Sequence, residues 1–319
     1  MATRAAVVRE AGRAPACEEV ADPVARAGES LVTVAAASLS QLARARASGT
    51  HYSAAGGFPF VAGVDGVGRT ADGRRVYFLL PRAPHGAMAG RTVVADARLL
   101  RVPDGLGDVA AAAIANPGMS SWAALRERAR LAAGETVLVN GATGASGRLA
   151  VQVARHLGAG RVIATGRDAA ALDSLGADGV VRLGDDDAAL SAGLERVFAD
   201  GVDVVLDYLW GASAERILVA AAKAGPELRP VRFVQVGTAS GAEIALPGAV
   251  LRSSSLVLMG SGIGSVSLER LLASIGGVFE AAAAGALRME SRVMPLGEVA
   301  QAWSLTGERI VIDTTAGGD

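Results

Sequence analysis

The chain is short of the side chains that most active sites draw on. It has one cysteine, Cys17, in 319 residues, so no intramolecular disulfide can form. It has three histidines, His51, His85 and His156, and none of them stands with Cys17 at the spacing of a zinc set. Of its 31 basic residues only Lys223 is a lysine. Chemistry that needs a catalytic lysine must use that residue, which reads as a surface position near the C-terminal end of a helical stretch. The three tyrosines, Tyr52, Tyr77 and Tyr208, lack a lysine four residues on, which removes one common proton-transfer pair. There is no Gly-x-Ser-x-Gly elbow and no GxxxxGK[ST] loop, so a serine hydrolase and a P-loop NTPase have no support. The net charge of −1 gives no basic excess for nucleic acid. Although 51% of residues are hydrophobic, no uncharged apolar run is long enough to span a membrane. Arg4, Arg9, Glu10, Arg13, Glu18 and Glu19 argue against a secretory leader, and a cytoplasmic protein is the expectation.

What the chain does have is concentrated between Thr136 and Arg167. A β-branched run, Thr136-Val-Leu-Val139, leads into a glycine turn, a helix-period segment and a second β-branched run, Arg161 to Thr165. The turn reads Ala142-x-Gly144-x-x-Gly147, a GxGxxG fingerprint with alanine in the first place. Small residues let the backbone turn tightly and approach a pyrophosphate, and the helix N-terminus offers free N–H groups and a partial positive charge. Ala142, Thr143, Gly144, Ala145, Ser146 and Gly147 are therefore candidate cofactor residues. An NAD-type unit places Asp or Glu at the end of the second strand to bind the ribose 2′-OH. Here Gly166-Arg167 stands there, a guanidinium suited to a 2′-phosphate, and NADPH is the expected cofactor.

Periodicity divides the chain into a β-rich part and a regular β/α alternation. Strands are predicted at 136–140, 161–165, 178–182, 202–207, 231–236 and 255–260, and helices at 146–158, 168–175, 187–199, 211–224 and 266–283. A helix is also predicted from Ser121 to Ala133, with Ser120 as its cap. The fold class expected is α/β: a doubly wound, parallel, six-stranded Rossmann domain over residues 116–284, preceded by a β-rich domain over 1–115. Residues 285–319 return to strand, short helix and strand. Asp207-Tyr208 ends the fourth strand of the alternation, and Gly237 and Gly260 close the next two. Tyr208, Gly237 and Gly260 thus lie at the carboxyl edge, where ligands bind in such sheets.

Several segments occur in the order found in one superfamily. They are Gly63-Val-Asp-Gly-Val-Gly68, Asp72-Gly-Arg-Arg-Val-Tyr77, Val102-Pro-Asp-Gly-Leu106, Asn116-Pro-Gly-Met-Ser-Ser-Trp-Ala-Ala-Leu125, the glycine turn, and Ala300-Gln-Ala-Trp303 leading into Gly307-Glu-Arg-Ile-Val311. Together they resemble the medium-chain dehydrogenase/reductase superfamily, and its zinc-independent NADPH:quinone oxidoreductase-like branch in particular. The resemblance implies a GroES-like catalytic first domain, to which the C-terminal segment returns, and a homodimer paired through the Ser255–Met259 edge. Where the zinc branch has Gly-His-Glu, this chain reads Gly63-Val64-Asp65, so no metal is expected. The segment Gly49-Thr50-His51-Tyr52-Ser53 resembles the one that places a tyrosine over the nicotinamide. Tyr52 and His51 are the candidate catalytic residues, able to hydrogen-bond or protonate the oxygen that gains charge as hydride arrives. Ser120 stands where relatives carry a threonine near the nicotinamide ring, and Asn116 on the same turn is a candidate pocket residue. The glycine turn carries Ala145-Ser146 where relatives have Gly-Val, and the segment Ser38-Leu-Ser-Gln-Leu42 lacks the usual Asn and Asp.

Three activities remain open at this point. The first is reduction of a quinone or α,β-unsaturated carbonyl by hydride from NADPH. The second is reduction of an enoyl thioester of the fatty acid or polyketide type, which a deep apolar groove with a basic mouth near Arg44 or Arg46 would favour. The third is NADPH binding without catalysis.

Overall fold

A computed structural model of the chain describes residues 2–49, 57–184, 186–225 and 227–316. It divides into two compact units, one formed by residues 1–116 and 282–319, the other by residues 117–281.

The second unit is built on six parallel strands. Their order across the sheet is Gly179–Arg182, Arg161–Gly166, Thr136–Asn140, Val204–Asp207, Val231–Gln235 and Leu256–Gly260. The first of these strands in the chain is therefore central. The second and third run out to one side and the fourth, fifth and sixth to the other. That reversal opens a crevice beside the carboxyl ends of Thr136–Asn140 and its neighbours, which is where ligands bind in doubly wound sheets. The central strands are apolar throughout because helices cover both faces: Val137, Leu138, Val139, Val204, Val205 and Leu206 are all fully buried. Helices Asp187–Ala199 and Gly211–Ala224 pack Leu194, Phe198, Ile217 and Leu218 onto one face with Phe233. Asp186 starts the first of them by accepting hydrogen bonds from the amides of Ala188 and Ala189, both 2.9 Å. Lys223 lies on the second and faces Glu195 at 3.5 Å on the surface.

The helix expected to begin at Ser121 differs. A single helix, Asp108–Ala123, runs through Pro117 and ends in a wider turn, Ala124–Ala129. Proline lacks the N–H that would bond the carbonyl four residues back, here that of Ala113. The guanidinium of Arg309 takes its place, donating from Nε to the Ala113 carbonyl at 2.9 Å. An external donor thus lets proline sit where the sequence pattern suggested a break. A short helix, Gly248–Arg252, precedes the last strand of the parallel sheet and was not anticipated.

The first unit is mostly antiparallel. Its large sheet runs Arg292–Pro295, Ile310–Asp313, Glu29–Leu39, Asp65–Thr70, Arg75–Leu79 and Leu99–Arg101, with Arg91–Ala95 also pairing on Glu29–Leu39. The C-terminal segment thereby enters this sheet directly, Ile310 opposite Leu39 and Ile312 opposite Ala37. A smaller sheet places Ala2–Val8 between Ala16–Ala21 and Phe60–Val61. Phe78, Met88, Val94 and Ile312 fill the shared core. Among the described residues no helix is long and apolar enough to cross a membrane.

One charged group lies inside that core. Asp65 is fully buried, and its carboxylate accepts from the hydroxyls of Ser38 (3.1 and 3.2 Å) and Tyr77 (3.2 Å). Burial pushes its pKa up to about 6, against the opposing pull of Arg309 and the two hydroxyls. The folded state therefore holds this proton more tightly than the unfolded chain, whose carboxyl titrates near 3.8. The stabilising contribution is fully present below that value and is lost as pH rises through about 6. We expect the stability of Asp65→Asn relative to wild type to improve by roughly 2–3 kcal/mol between pH 4 and pH 7. Urea unfolding across that range measures it, and a difference that does not change with pH would contradict the assignment.

Candidate active site

The carboxyl edge of the parallel sheet is held by buried polar side chains on its three central strands. Asp207, at the end of Val204–Asp207, accepts from Asn140 Nδ2 at 2.7 Å. Asn140 Oδ1 in turn accepts from Thr165 Oγ1 at 2.6 Å. The Thr165 hydroxyl lies 3.3 Å from the Gly141 amide, and its carbonyl accepts from the Ala142 amide at 2.8 Å. The chain of bonds thus reaches from the fourth strand through the first to the second and fixes the start of the glycine turn. Asp207 also receives the amides of Leu209 (3.0 Å) and Trp210 (3.1 and 3.2 Å). Burial raises its pKa, while Asn140 and the two amides oppose that shift.

Those amides hold an unusual backbone. Trp210 has φ 58° and ψ −156°, a region glycine occupies and side-chain-bearing residues avoid at a cost of about 1–3 kcal/mol. Two attachments keep it there: the amide bond to Asp207 and the indole packed against Phe233, with centroids 6.2 Å apart. The same turn sends Tyr208 toward Ser120, their hydroxyls 3.4 Å apart. Ser120 is not a helix cap, as the sequence suggested; it lies within Asp108–Ala123 and donates to the Pro117 carbonyl at 2.8 Å. Burial pushes the Tyr208 phenol up to about 12, so it stays protonated as a donor.

The glycine turn has the expected context with one shift of role. Helix Ala145–His156 starts with Gly144 as its cap and no side-chain hydrogen bond to its first amides, leaving those donors for an anion. The left-handed turn residue is Gly141, at φ 87°, not Ala142. Ala142 is fully buried and holds the turn through its amide. Gly147 is required by packing: a Cβ there would lie 2.7 Å from Ala142 Cα and collide with the Gly141 carbonyl. The pattern that matters is thus Gly141-x-x-Gly144-x-x-Gly147, legible in the sequence as a GxxGxxG spacing. Gly144, Ala145, Thr143 and Ser146 line the open side of the turn, exposed or partly so. Gly166 lies against the Thr143 side chain, where a Cβ would sit 2.7 Å from Cγ2. Arg167 follows it, exposed. Gly237 donates its amide to the Asp207 carbonyl at 3.1 Å. Gly260 ends the outermost strand, and its carbonyl is taken by Arg128 Nε at 2.7 Å. The turn, the free amides and the Arg167 guanidinium fit a dinucleotide with a 2′-phosphate.

In the first unit, Tyr52 and His51 lie outside the described residues. The same unit has a cavity of about 290 Å3 walled by helix Gln41–Ala47, Phe58, Phe60, Val61 and Pro84. The two arginines of the helix differ. Arg44 is used within the fold: it donates to the carbonyls of Trp303 and Leu305 (2.8 Å to the latter) and lies over the Trp303 ring. Arg46 and His85 line the cavity. The described residues do not form a zinc set. Asp65 is engaged by Ser38 and Tyr77, Val64 beside it is apolar and buried, and His156 packs against Trp122 with ring centroids 5.5 Å apart. Among the described residues no group of three or more His, Cys, Asp or Glu could hold a metal ion.

Comparison with known proteins bears on the fold and the family. A family profile described as zinc-binding dehydrogenase matches residues 145–275. The probable NADPH-dependent quinone reductase tdiC of Emericella nidulans is 32% identical over 93% of this chain and 96% of its own length. The phthioceranic/hydroxyphthioceranic acid synthase of Mycobacterium tuberculosis is 33% identical over 70% of this chain, which spans only 10% of that synthase. A putative NADPH:quinone reductase structure from Bacillus thuringiensis superimposes with a TM-score of 0.82 at 16% identity, covering 98% of this chain and 99% of that one. An oxidoreductase fold of two such units defines the class. The chain belongs to the medium-chain dehydrogenase/reductase superfamily, in its NADPH:quinone reductase-like branch.

If Asp207 holds the carboxyl edge together, Asp207→Ala leaves three N–H donors without an acceptor and costs about 3 kcal/mol or more. Chemical denaturation measures the loss. A change below about 1 kcal/mol would show that the network is incidental.

Proposed function

We propose that this chain is a zinc-independent, NADPH-dependent reductase of quinones or α,β-unsaturated carbonyls. The observation that carries the reading is the carboxyl edge of the parallel sheet, where the turn from Gly141 to Gly147 and the Gly166-Arg167 corner lie on adjacent strands. Bound NADPH would supply a hydride to the acceptor. The free amides at the start of Ala145–His156 would hold the pyrophosphate, and Arg167 would pair with the 2′-phosphate. Ser120 and Tyr208 present two hydroxyls to the nicotinamide end. Reduction of a conjugated acceptor moves charge to its oxygen, and a tyrosine or histidine donor can meet it there. Tyr52, with His51 beside it in sequence, is our candidate for that donor. The similarity to the fungal quinone reductase over nearly the whole of both chains supports this reading. Delocalised acceptors also need no Lewis acid to stabilise an alkoxide.

Enoyl-thioester reduction is the second reading. It is favoured by the similarity to the phthioceranic/hydroxyphthioceranic acid synthase and by the cationic Arg46 at the cavity wall.

Two measurements test the proposal. Purified protein should oxidise NADPH, followed at 340 nm, in the presence of quinones, enones or enoyl thioesters. Failure with all three refutes the enzyme, and tight NADPH binding without turnover identifies a binding protein instead. Separately, Arg167→Asp should weaken NADPH by at least about tenfold, roughly 1.4 kcal/mol, and barely change NADH. An equal effect on both dissociation constants removes the 2′-phosphate assignment.

A further inference from the structure

The cavity walled by helix Gln41–Ala47 holds an arginine to whose side chain the described residues offer nothing to bind. Arg46 is two residues from Arg44 on the same seven-residue helix, yet the two side chains have opposite fates. Arg44 is tied to main-chain carbonyls and to the Trp303 ring. The Arg46 guanidinium makes no hydrogen bond or ion pair with any described residue, although it is half-buried and its loss of water pulls its pKa down. A guanidinium removed from water without a counter-charge is unfavourable, and the penalty is relieved when an anion arrives.

The second polar group on the wall is His85. Burial and the neighbouring Arg82 lower its pKa, so at neutral pH its ring offers one N–H and one lone pair. The acid closest to it in effect, Glu29, is already bridged to Arg82 at 2.9 Å. Among the described residues nothing acidic lines the cavity. The rest of the wall is aromatic and aliphatic: Phe58 and Phe60 lie with centroids 5.5 Å apart, and Val61, Val64 and Pro84 complete it. The volume, about 290 Å3, is at the lower end of small-molecule sites.

An apolar wall with one unpaired fork of donors selects a particular kind of molecule. Arginine matches carboxylate and phosphate with two parallel hydrogen bonds, and planar hydrophobic groups pack against phenyl rings. We infer that this cavity binds the anionic end of the acceptor, Arg46 taking a carboxylate or phosphate oxygen while Phe58 and Phe60 hold the adjoining apolar part. The inference rests on the reductase reading, and it narrows the substrate from any quinone or enone to one that carries negative charge. The charge has two possible sources: a carboxylate on the acceptor itself, or the phosphate of a carrier arm attached to it.

The test uses the intact chain with NADPH. Specificity constants are compared for 1,4-naphthoquinone and a carboxylated naphthoquinone, and for the same enoyl thioester on pantetheine and on 4′-phosphopantetheine. We expect the charged member of at least one pair to be preferred by tenfold or more. Preference in the first pair identifies a carboxylate, and in the second a phosphate. Arg46→Gln should abolish that preference, and Arg46→Lys should keep part of it. No preference in wild type, or a preference that survives in Arg46→Gln, overturns the inference. Binding of the carboxylated naphthoquinone is also followed by calorimetry without turnover. If no acceptor is reduced, the reductase reading fails, whereas a dissociation constant at least tenfold weaker in Arg46→Gln still supports the anion site. Equal affinities in the two proteins refute the site by itself.

Discussion

The carboxylate of Asp207 is the constraint on which the carboxyl edge of the parallel sheet depends. It is buried and so unfavourable by itself, and it persists because an amide side chain and two backbone amides surround it. Through Asn140 and Thr165 it fixes the glycine turn. Through Leu209 and Trp210 it holds a backbone that no non-glycine residue would adopt unaided. The strain at Trp210 and the placement of Tyr208 beside Ser120 are consequences of one turn. An edge tied together in this way has its hydrogen bonds made within the fold itself.

A second buried carboxylate plays a comparable part in the other unit. Asp65 gathers Ser38 and Tyr77 from neighbouring strands and lies within electrostatic reach of Arg309. Arg309 in turn bonds the carbonyl that Pro117 leaves free. A residue near the C-terminus thereby supports a helix nearly two hundred positions earlier. In each unit a charge is stabilised by local geometry, not by exposure to water, and Arg46 is notable against that background because nothing described around it does the same.

Much of this was legible in the sequence, and the reasons are physical. Near-continuous apolar strands alternating with amphipathic helices can form little except a covered parallel sheet, and the strands at 136–140 and 231–236 and the helices at 187–199 and 211–224 match closely. The glycine turn was visible by spacing, but the left-handed residue proved to be Gly141, because spacing alone does not say which small residue carries positive φ. The helix through Pro117 was not legible: its missing hydrogen bond is replaced by Arg309, a long-range partner that no local pattern encodes. The same holds for Asn140, Thr165 and Asp207, which read in sequence as ordinary strand-terminal polar residues and become a network only when parallel pairing sets them side by side. Tyr52 and His51, the candidate catalytic pair, lie outside the described residues.

Together these features describe an oxidoreductase of the medium-chain superfamily whose parallel sheet has its carboxyl edge held by Asp207 and whose first unit carries Arg46 on the wall of a largely apolar cavity. The central claim is that the edge around Gly141–Gly147 and Arg167 receives NADPH. A crystal structure of the complex tests it most directly. The account predicts the pyrophosphate against the amides of residues 145–147, the 2′-phosphate within hydrogen-bond distance of Arg167, and the nicotinamide beside Ser120 and Tyr208. A dinucleotide bound with its 2′-phosphate away from Arg167, or bound elsewhere on the sheet, would contradict it.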